Sequence, residues 1–275
     1  METISENRAF GGIQGVYRHA SQACGCDMTF AVYLPPQAEA GPIPCLWYLS
    51  GLTCTHENAM VKAGAQGFAA DAGIALVFPD TSPRGAGIAD DDAFDLGQGA
   101  GFYVDATETP WALHYRMYSY IADELQRIVT RAFPIEEEAQ GITGHSMGGH
   151  GAITLAIANP GLYRSLSAFA PIAHPSASDW GRKQLSAYLG RDESRWRKHD
   201  ATLALRDTGW ASDILIDQGA ADQFLNLLKP EALAGALSET RTAHTLRMHA
   251  GYDHSYFFVA SFMADHIAWH ADRLA

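Results

Sequence analysis

A chain of 275 residues, 47% hydrophobic and 11% aromatic, can bury a large core, and a single α/β domain commonly runs to this length. Lysine and arginine number 19 against 31 aspartates and glutamates, and the resulting charge of −12 argues against nucleic acid or an anionic membrane surface as a partner. No apolar run approaches the ~20 residues of a membrane span, and the polar start Met1-Glu2-Thr3-Ile4-Ser5-Glu6-Asn7 lacks the charged-then-apolar order of a secretory signal. A cytoplasmic protein of one domain, residues 1–275, is therefore expected.

In chain order, Met28 to Leu34 alternates and stops at Pro35-Pro36, which reads as a strand. Pro44 to Leu49 and Ile74 to Pro79 are continuous apolar runs ending in turn residues, as buried central strands are. Between them, Glu57 to Asp71 has the Ala-rich amphipathic spacing of a crossover helix. Tyr115 to Ala132 predicts a longer helix closed by Phe133-Pro134. Gln140 to Thr143 is a strand, 149–158 a helix ending at Asn159-Pro160, and Ser165 to Phe169 and Asp213 to Asp217 are the next strands. Thr245 to Met248 closes the sheet before a final helix from Ser255. Strand alternating with helix predicts a mostly parallel central sheet flanked by helices on both faces, with its site at the strand C-terminal ends.

The four cysteines, Cys24, Cys26, Cys45 and Cys54, read as reduced thiols. Cys24 and Cys26 stand too close together for an ordinary disulfide. Of the twelve histidines, the pairs His145/His150 and His249/His254 approach helical spacing, but glycines and a Gly-Tyr-Asp turn interrupt them. Neither a metal nor a cofactor is expected.

The chemistry is announced by Gly144-His145-Ser146-Met147-Gly148, a G-x-S-x-G pattern between a strand and a helix. A serine at so sharp a turn takes a strained backbone conformation, and the flanking glycines remove the Cβ atoms that would collide there. The Met147 N–H, at the start of the helix, can donate to a developing oxyanion. With this elbow the architecture becomes the α/β-hydrolase fold, whose triad runs serine, then acid, then histidine along the chain. Asp222 follows the 213–217 strand and His254 follows the 245–248 strand, so both sit in loops at strand C-terminal ends. His254 can take the proton of Ser146, while Asp222 fixes the imidazole tautomer. Asp217 lies inside its strand and reads as a buried structural carboxylate. Asp253 adjoins the base too closely to orient it, and His249 precedes the glycine turn. The loop from Ser50 to Asn58 should supply the second oxyanion donor: Gly51 lets the backbone approach the nucleophile, which makes the Leu52 N–H the candidate. Cys54, two residues further on, is expected near the site, either as a redox-sensitive thiol or as a buried inert one.

Several long runs resemble the S-formylglutathione hydrolase (esterase D) family. They include Phe30-Ala31-Val32-Tyr33-Leu34-Pro35-Pro36, Ser50-Gly51-Leu52-Thr53-Cys54-Thr55, Pro79-Asp80-Thr81-Ser82-Pro83-Arg84-Gly85 and Gly99-Ala100-Gly101-Phe102-Tyr103-Val104-Asp105. Tyr115-Arg116-Met117-Tyr118-Ser119-Tyr120, the elbow through Gly151, Asp213 to Gly219 and Gly251-Tyr252-Asp253-His254-Ser255-Tyr256 continue the match over nearly the whole chain. The resemblance implies cofactor-free hydrolysis of a small glutathione thioester, S-formylglutathione, to formate and glutathione, a step of formaldehyde detoxification. It places the triad on Ser146, Asp222 and His254, and the oxyanion donors on Leu52 and Met147. A short-chain carboxylesterase or acyltransferase on the same fold is the alternative, because a triad does not encode its leaving group. The chain departs from the family's usual residues at His56, Ala59 and Asp179, which bears on the shape of the acyl pocket. Lys62, Arg84 and Lys183 are the cations considered for glutathione. The sequence leaves the oligomeric state open, with a homodimer as the form carried forward.

Overall fold

Nine strands form one sheet in the order β1-β2-β3-β5-β4-β6-β7-β8-β9, in a computed structural model that describes all 275 residues. They are β1 Glu2–Ala9, β2 Gly12–Ala20, β3 Asp27–Leu34, β4 Ile43–Leu49, β5 Ala75–Pro79, β6 Ile135–Gly144, β7 Ser165–Phe169, β8 Ile214–Gly219 and β9 His244–His249. From β5 to β9 all neighbours run parallel, whereas β1, β2, β3 and β5 pair antiparallel. The expected α/β-hydrolase sheet is thus present, extended at one edge by a hairpin that the sequence reading does not contain. β1 is exposed along almost its whole length, so it carries no apolar alternation to read.

The central strands are the apolar runs. Every residue of β5 is buried, as are six of the seven in β4, because helices cover both faces of a parallel sheet. On β7, Ser165 and Ser167 meet His270 and His266 of the Tyr256–Leu274 helix. Alternation then turns Leu166 and Ala168 toward the Met147–Ala158 helix on the other face. That second helix is buried from Met147 to Ile157, with no polar face at all, as befits a helix enclosed by the rest of the protein.

Two helices differ from expectation. The 57–71 crossover is two helices, His56–Lys62 and Ala65–Ala72, separated at Gly64, whose φ of 66° belongs to the left-handed region. The helix predicted from Tyr115 spans 117–132 and includes a wider π-type turn over Tyr120–Leu125. Helices Asp179–Leu189, Ala201–Thr208 and Pro230–Glu239 complete the layers. All four cysteines are free, and no helix is long and apolar enough to cross a membrane.

Candidate active site

Ser146 occupies the turn between β6 and its helix at φ 59° and ψ −117°, a conformation that costs a non-glycine residue free energy and persists only where its surroundings enforce it. The surroundings do. A Cβ on Gly148 would lie 2.0 Å from the Leu49 carbonyl oxygen, and one on Gly144 would lie 2.3 Å from that of Gly148, so only glycines let helix and strand meet this closely. The Ser146 N–H donates to the Phe169 carbonyl at 2.9 Å, which ties the elbow to β7.

The structure brings Asp222 and His254 together. Asp222 Oδ2 and His254 Nδ1 are 2.6 Å apart, and the carboxylate also accepts from Gln218 Nε2 at 3.0 Å and from the Phe224 N–H at 2.8 Å. Three donors hold the carboxylate in one orientation, and that fixes the imidazole. The two loops carrying this pair are stitched by the Ala220 N–H to His249 carbonyl bond and the Ala221 N–H to Tyr252 carbonyl bond, each 2.9 Å. Gly219 permits the approach: a Cβ there would sit 2.4 Å from the Tyr252 carbonyl oxygen. Ser146 and His254 face one pocket of about 290 Å³ without a direct hydrogen bond between them. Such contacts commonly tighten only when substrate binds.

Gly51 lies against the elbow, where a Cβ would come 3.1 Å from that of Ser146. Neither the Leu52 nor the Met147 N–H donates to any protein acceptor, so both backbone donors are free beside Ser146. Their loop is held from behind. Tyr103 donates its hydroxyl to the Ser50 carbonyl at 2.9 Å, the Thr53 N–H donates to Gly99 at 2.9 Å, and Arg84 Nη2 donates to the Cys54 carbonyl at 2.7 Å.

Cys54 also lines the pocket, only 8% exposed, and burial pushes its thiol pKa up, with the Tyr256 hydroxyl and nearby cations opposing. The remaining wall includes Asn58, Phe94, Trp180, Phe224 and Tyr256. His145 packs on His254 with ring centroids 4.6 Å apart, and burial, then the neighbouring His254 charge, push its pKa well down, so it stays neutral beside His254.

The competing candidates fall elsewhere. Asp217 is fully buried and faces away from His254: it accepts Arg247 Nε and Nη2 at 2.5 Å each and His266 Nε2 at 3.2 Å. His249 Nε2 lies 3.1 Å from the same carboxylate. None of Lys62, Arg84 and Lys183 reaches the pocket wall. Arg84 pairs with Asp80 at 3.0 Å, Lys183 pairs with Asp95 at 2.6 Å, and Lys62 is exposed. His56, Ala59 and Asp179 are absent from the wall as well, so the three departures do not shape the pocket by contact. Phe94, alone among acidic neighbours, and Gln218 carry no sequence signal for their positions; Gly219, next to the strand's end, does.

A parallel sheet with a strained serine elbow at the strand C-terminal ends defines an α/β hydrolase. The Esterase family model matches residues 21–269. The S-formylglutathione hydrolase of Paracoccus denitrificans is 68% identical over 273 residues, covering 99% of this chain and 98% of that protein. Its Mus musculus counterpart is 51% identical, covering 100% and 99%. The solved structure of an S-formylglutathione hydrolase from Agrobacterium tumefaciens superposes with a TM-score of 0.98 at 50% identity, over 100% of both chains. The chain belongs to the S-formylglutathione hydrolase family.

Proposed function

We propose that the chain hydrolyses S-formylglutathione to formate and glutathione at the Ser146 pocket. The observation that carries this reading is the 2.6 Å Asp222–His254 pair facing the strained Ser146 beside two unpaired N–H groups. The full-length relatives supply the substrate class. As His254 Nε2 takes its proton, Ser146 Oγ attacks the formyl carbon and the carbonyl oxygen becomes an oxyanion held by the Leu52 and Met147 N–H groups. When the tetrahedral adduct collapses, the C–S bond breaks and the His254 proton goes to the departing sulfur. A formyl ester of Ser146 remains. Water, deprotonated by His254, adds to that ester, and the C–O bond to Ser146 breaks to release formate and restore the hydroxyl. No step requires a cofactor. At about 290 Å³ the pocket is at the small end for ligand sites, which suits a one-carbon acyl group, and the peptide lies across the rim of Phe94, Trp180 and Phe224. Four free thiols suit a reducing cytoplasm.

Comparing kcat/KM for S-formylglutathione with that for a simple acetyl ester tests the reading. We expect the thioester to be favoured by at least about 100-fold, roughly 2.7 kcal/mol of transition-state discrimination. Equal values would instead describe a general short-chain esterase.

Cys54 serves as a redox-sensitive gate in this proposal. An adduct on its sulfur would fill the pocket, but burial keeps the thiol protonated, so modification is slow. Prolonged exposure to a disulfide-forming reagent is expected to inhibit the parent protein and spare a Cys54→Ser variant that retains most of its activity. Full activity in a parent protein whose Cys54 adduct is verified by mass spectrometry would exclude the gate.

A further inference from the structure

The largest cavity is not the Ser146 pocket. A cleft of about 850 Å³ opens along the distal half of the Met147–Ala158 helix, at Thr154 and Ala158, and shares no residue with the Ser146 site. In a chain of net charge −12, residues 195–198 place three cations here, Arg195, Arg197 and Lys198. Arg197 is committed to Asp207 through bonds of 2.5 and 2.6 Å. Arg195 has only a 3.7 Å contact with Asp192, and Lys198 has no ion-pair partner, so two positive charges remain available. Across the cleft, Asp105 is held by the Ser119 N–H at 3.0 Å, with Arg116 at 3.4 Å. Unpaired Lys198 and loosely paired Arg195 complement the two carboxylates of a ligand, and Asp105, whose only ion-pair contact is the long 3.4 Å one to Arg116, offers a carboxylate for one ammonium group. A γ-glutamyl peptide such as glutathione has that charge pattern.

The cleft wall also touches the catalytic apparatus. Tyr103 lines the cleft, its ring fills the space beside Gly151, where a Cβ would come within 2.5 Å of it, and its hydroxyl donates to the Ser50 carbonyl just before Gly51 and Leu52. Phe102 and Tyr103 both take positive φ, 49° and 54°, so the segment joining cleft to oxyanion loop is strained. A second link runs from the cleft residue His199, whose carbonyl accepts from His150 Nε2 at 2.8 Å, to the helix that begins after Ser146.

We propose that this cleft is a second, non-catalytic site for glutathione and similar zwitterionic peptides, through which the product acts on the oxyanion loop by way of Tyr103. The choice of ligand rests on the S-formylglutathione reading; the charge pattern and the Tyr103 link do not. A ligand gripping the cleft must favour one placement of Tyr103 over another to alter turnover, and the reciprocal effect on its own affinity follows.

The test titrates S-methylglutathione, which cannot form a disulfide, into protein whose Ser146 carries a small phosphonate that blocks the pocket. Calorimetry is expected to show one site per chain, weakened at least tenfold by Lys198→Glu and by Arg195→Glu, variants that leave basal ester hydrolysis unchanged. In unblocked enzyme assayed with an acetyl ester, S-methylglutathione should change kcat, and Tyr103→Phe should remove that change while preserving binding. Absence of binding to the blocked protein, or affinity indifferent to both charge reversals, overturns the site. Binding that leaves kcat unmoved overturns the link through Tyr103. A Ser146 that refuses the phosphonate counts against the nucleophile assignment alone, because charge reversal still reads the cleft in unblocked protein.

Discussion

Ser146→Ala is expected to lower turnover of S-formylglutathione by about 10⁴-fold or more, and His254→Ala by a similar factor, with the double variant little worse than either. The near-equality follows from the mechanism: an alkoxide-like nucleophile forms only if an imidazole accepts its proton, so losing either partner removes the same covalent route. On the proposed mechanism, the residual rate reflects the Leu52 and Met147 N–H groups and substrate binding, which neither variant disturbs. Both proteins should fold. Alanine at 146 still has to occupy φ 59°, but the glycines at 144 and 148 that create the turn are untouched. Steady-state kinetics alongside circular dichroism decides the matter; ordinary turnover by a folded Ser146→Ala protein would falsify the mechanism.

Much of this arrangement is legible in the amino-acid sequence, and the reason is physical. Central strands of a parallel sheet are apolar on both sides, so β4, β5 and β8 stand out as runs, and the residues just after them fall at the sheet's C-terminal edge. The elbow is legible because its backbone needs glycine at fixed offsets. The β1–β2 hairpin is not legible, since an edge strand facing water gains nothing from apolar alternation. Nor is the split at Gly64, because a glycine inside a helical pattern, like Gly67 in the same run, reads as tolerated rather than as a left-handed break.

The pocket wall was harder to foresee. Leu52 and Cys54 follow from their place beside the elbow, but Phe94, Trp180 and Phe224 arrive from three distant segments, and only the fold gathers them. Arg84 shows the converse. Its position in a matched motif suggests a ligand for glutathione, whereas its guanidinium is spent on Asp80 and the Cys54 carbonyl, buttressing the loop that carries Leu52. A side chain's motif reveals that it is used, and its hydrogen bonds reveal for what.

Asp222→Asn and Asp217→Asn are expected to fail in opposite ways, although the residues are five apart on one strand and its loop. At 222, an amide can hold His254 only with its tautomer reversed, so turnover should drop by about 10⁴-fold while stability changes little, the loop being secured by its backbone bonds to 249 and 252. At 217, the loss falls on a fully buried carboxylate whose partner Arg247 is partly exposed. Burial pushes this carboxyl's pKa up, but hydrogen bonds from His266 and Arg247 outweigh it and hold the group well below the usual carboxylate range. Removing the charge leaves His266 and two of the Arg247 nitrogens without their anionic partner, while Arg247 keeps Asp265 at 2.7 Å, so the cost is about 3 kcal/mol, the low end for a broken buried pair. Turnover at temperatures below melting should change far less than in Asp222→Asn. Because the folded pKa lies below the unfolded one, the stabilisation is present in full above the unfolded carboxyl value of about 3.9 and is lost as pH falls toward the folded value. The gap in urea stability between parent and Asp217→Asn should therefore be wide at neutral pH and narrow once pH drops below about 4. Urea melts at several pH values, paired with kcat for each variant, separate the two roles; an Asp217→Asn protein that melts normally but has lost its turnover would move the catalytic acid from Asp222 to Asp217.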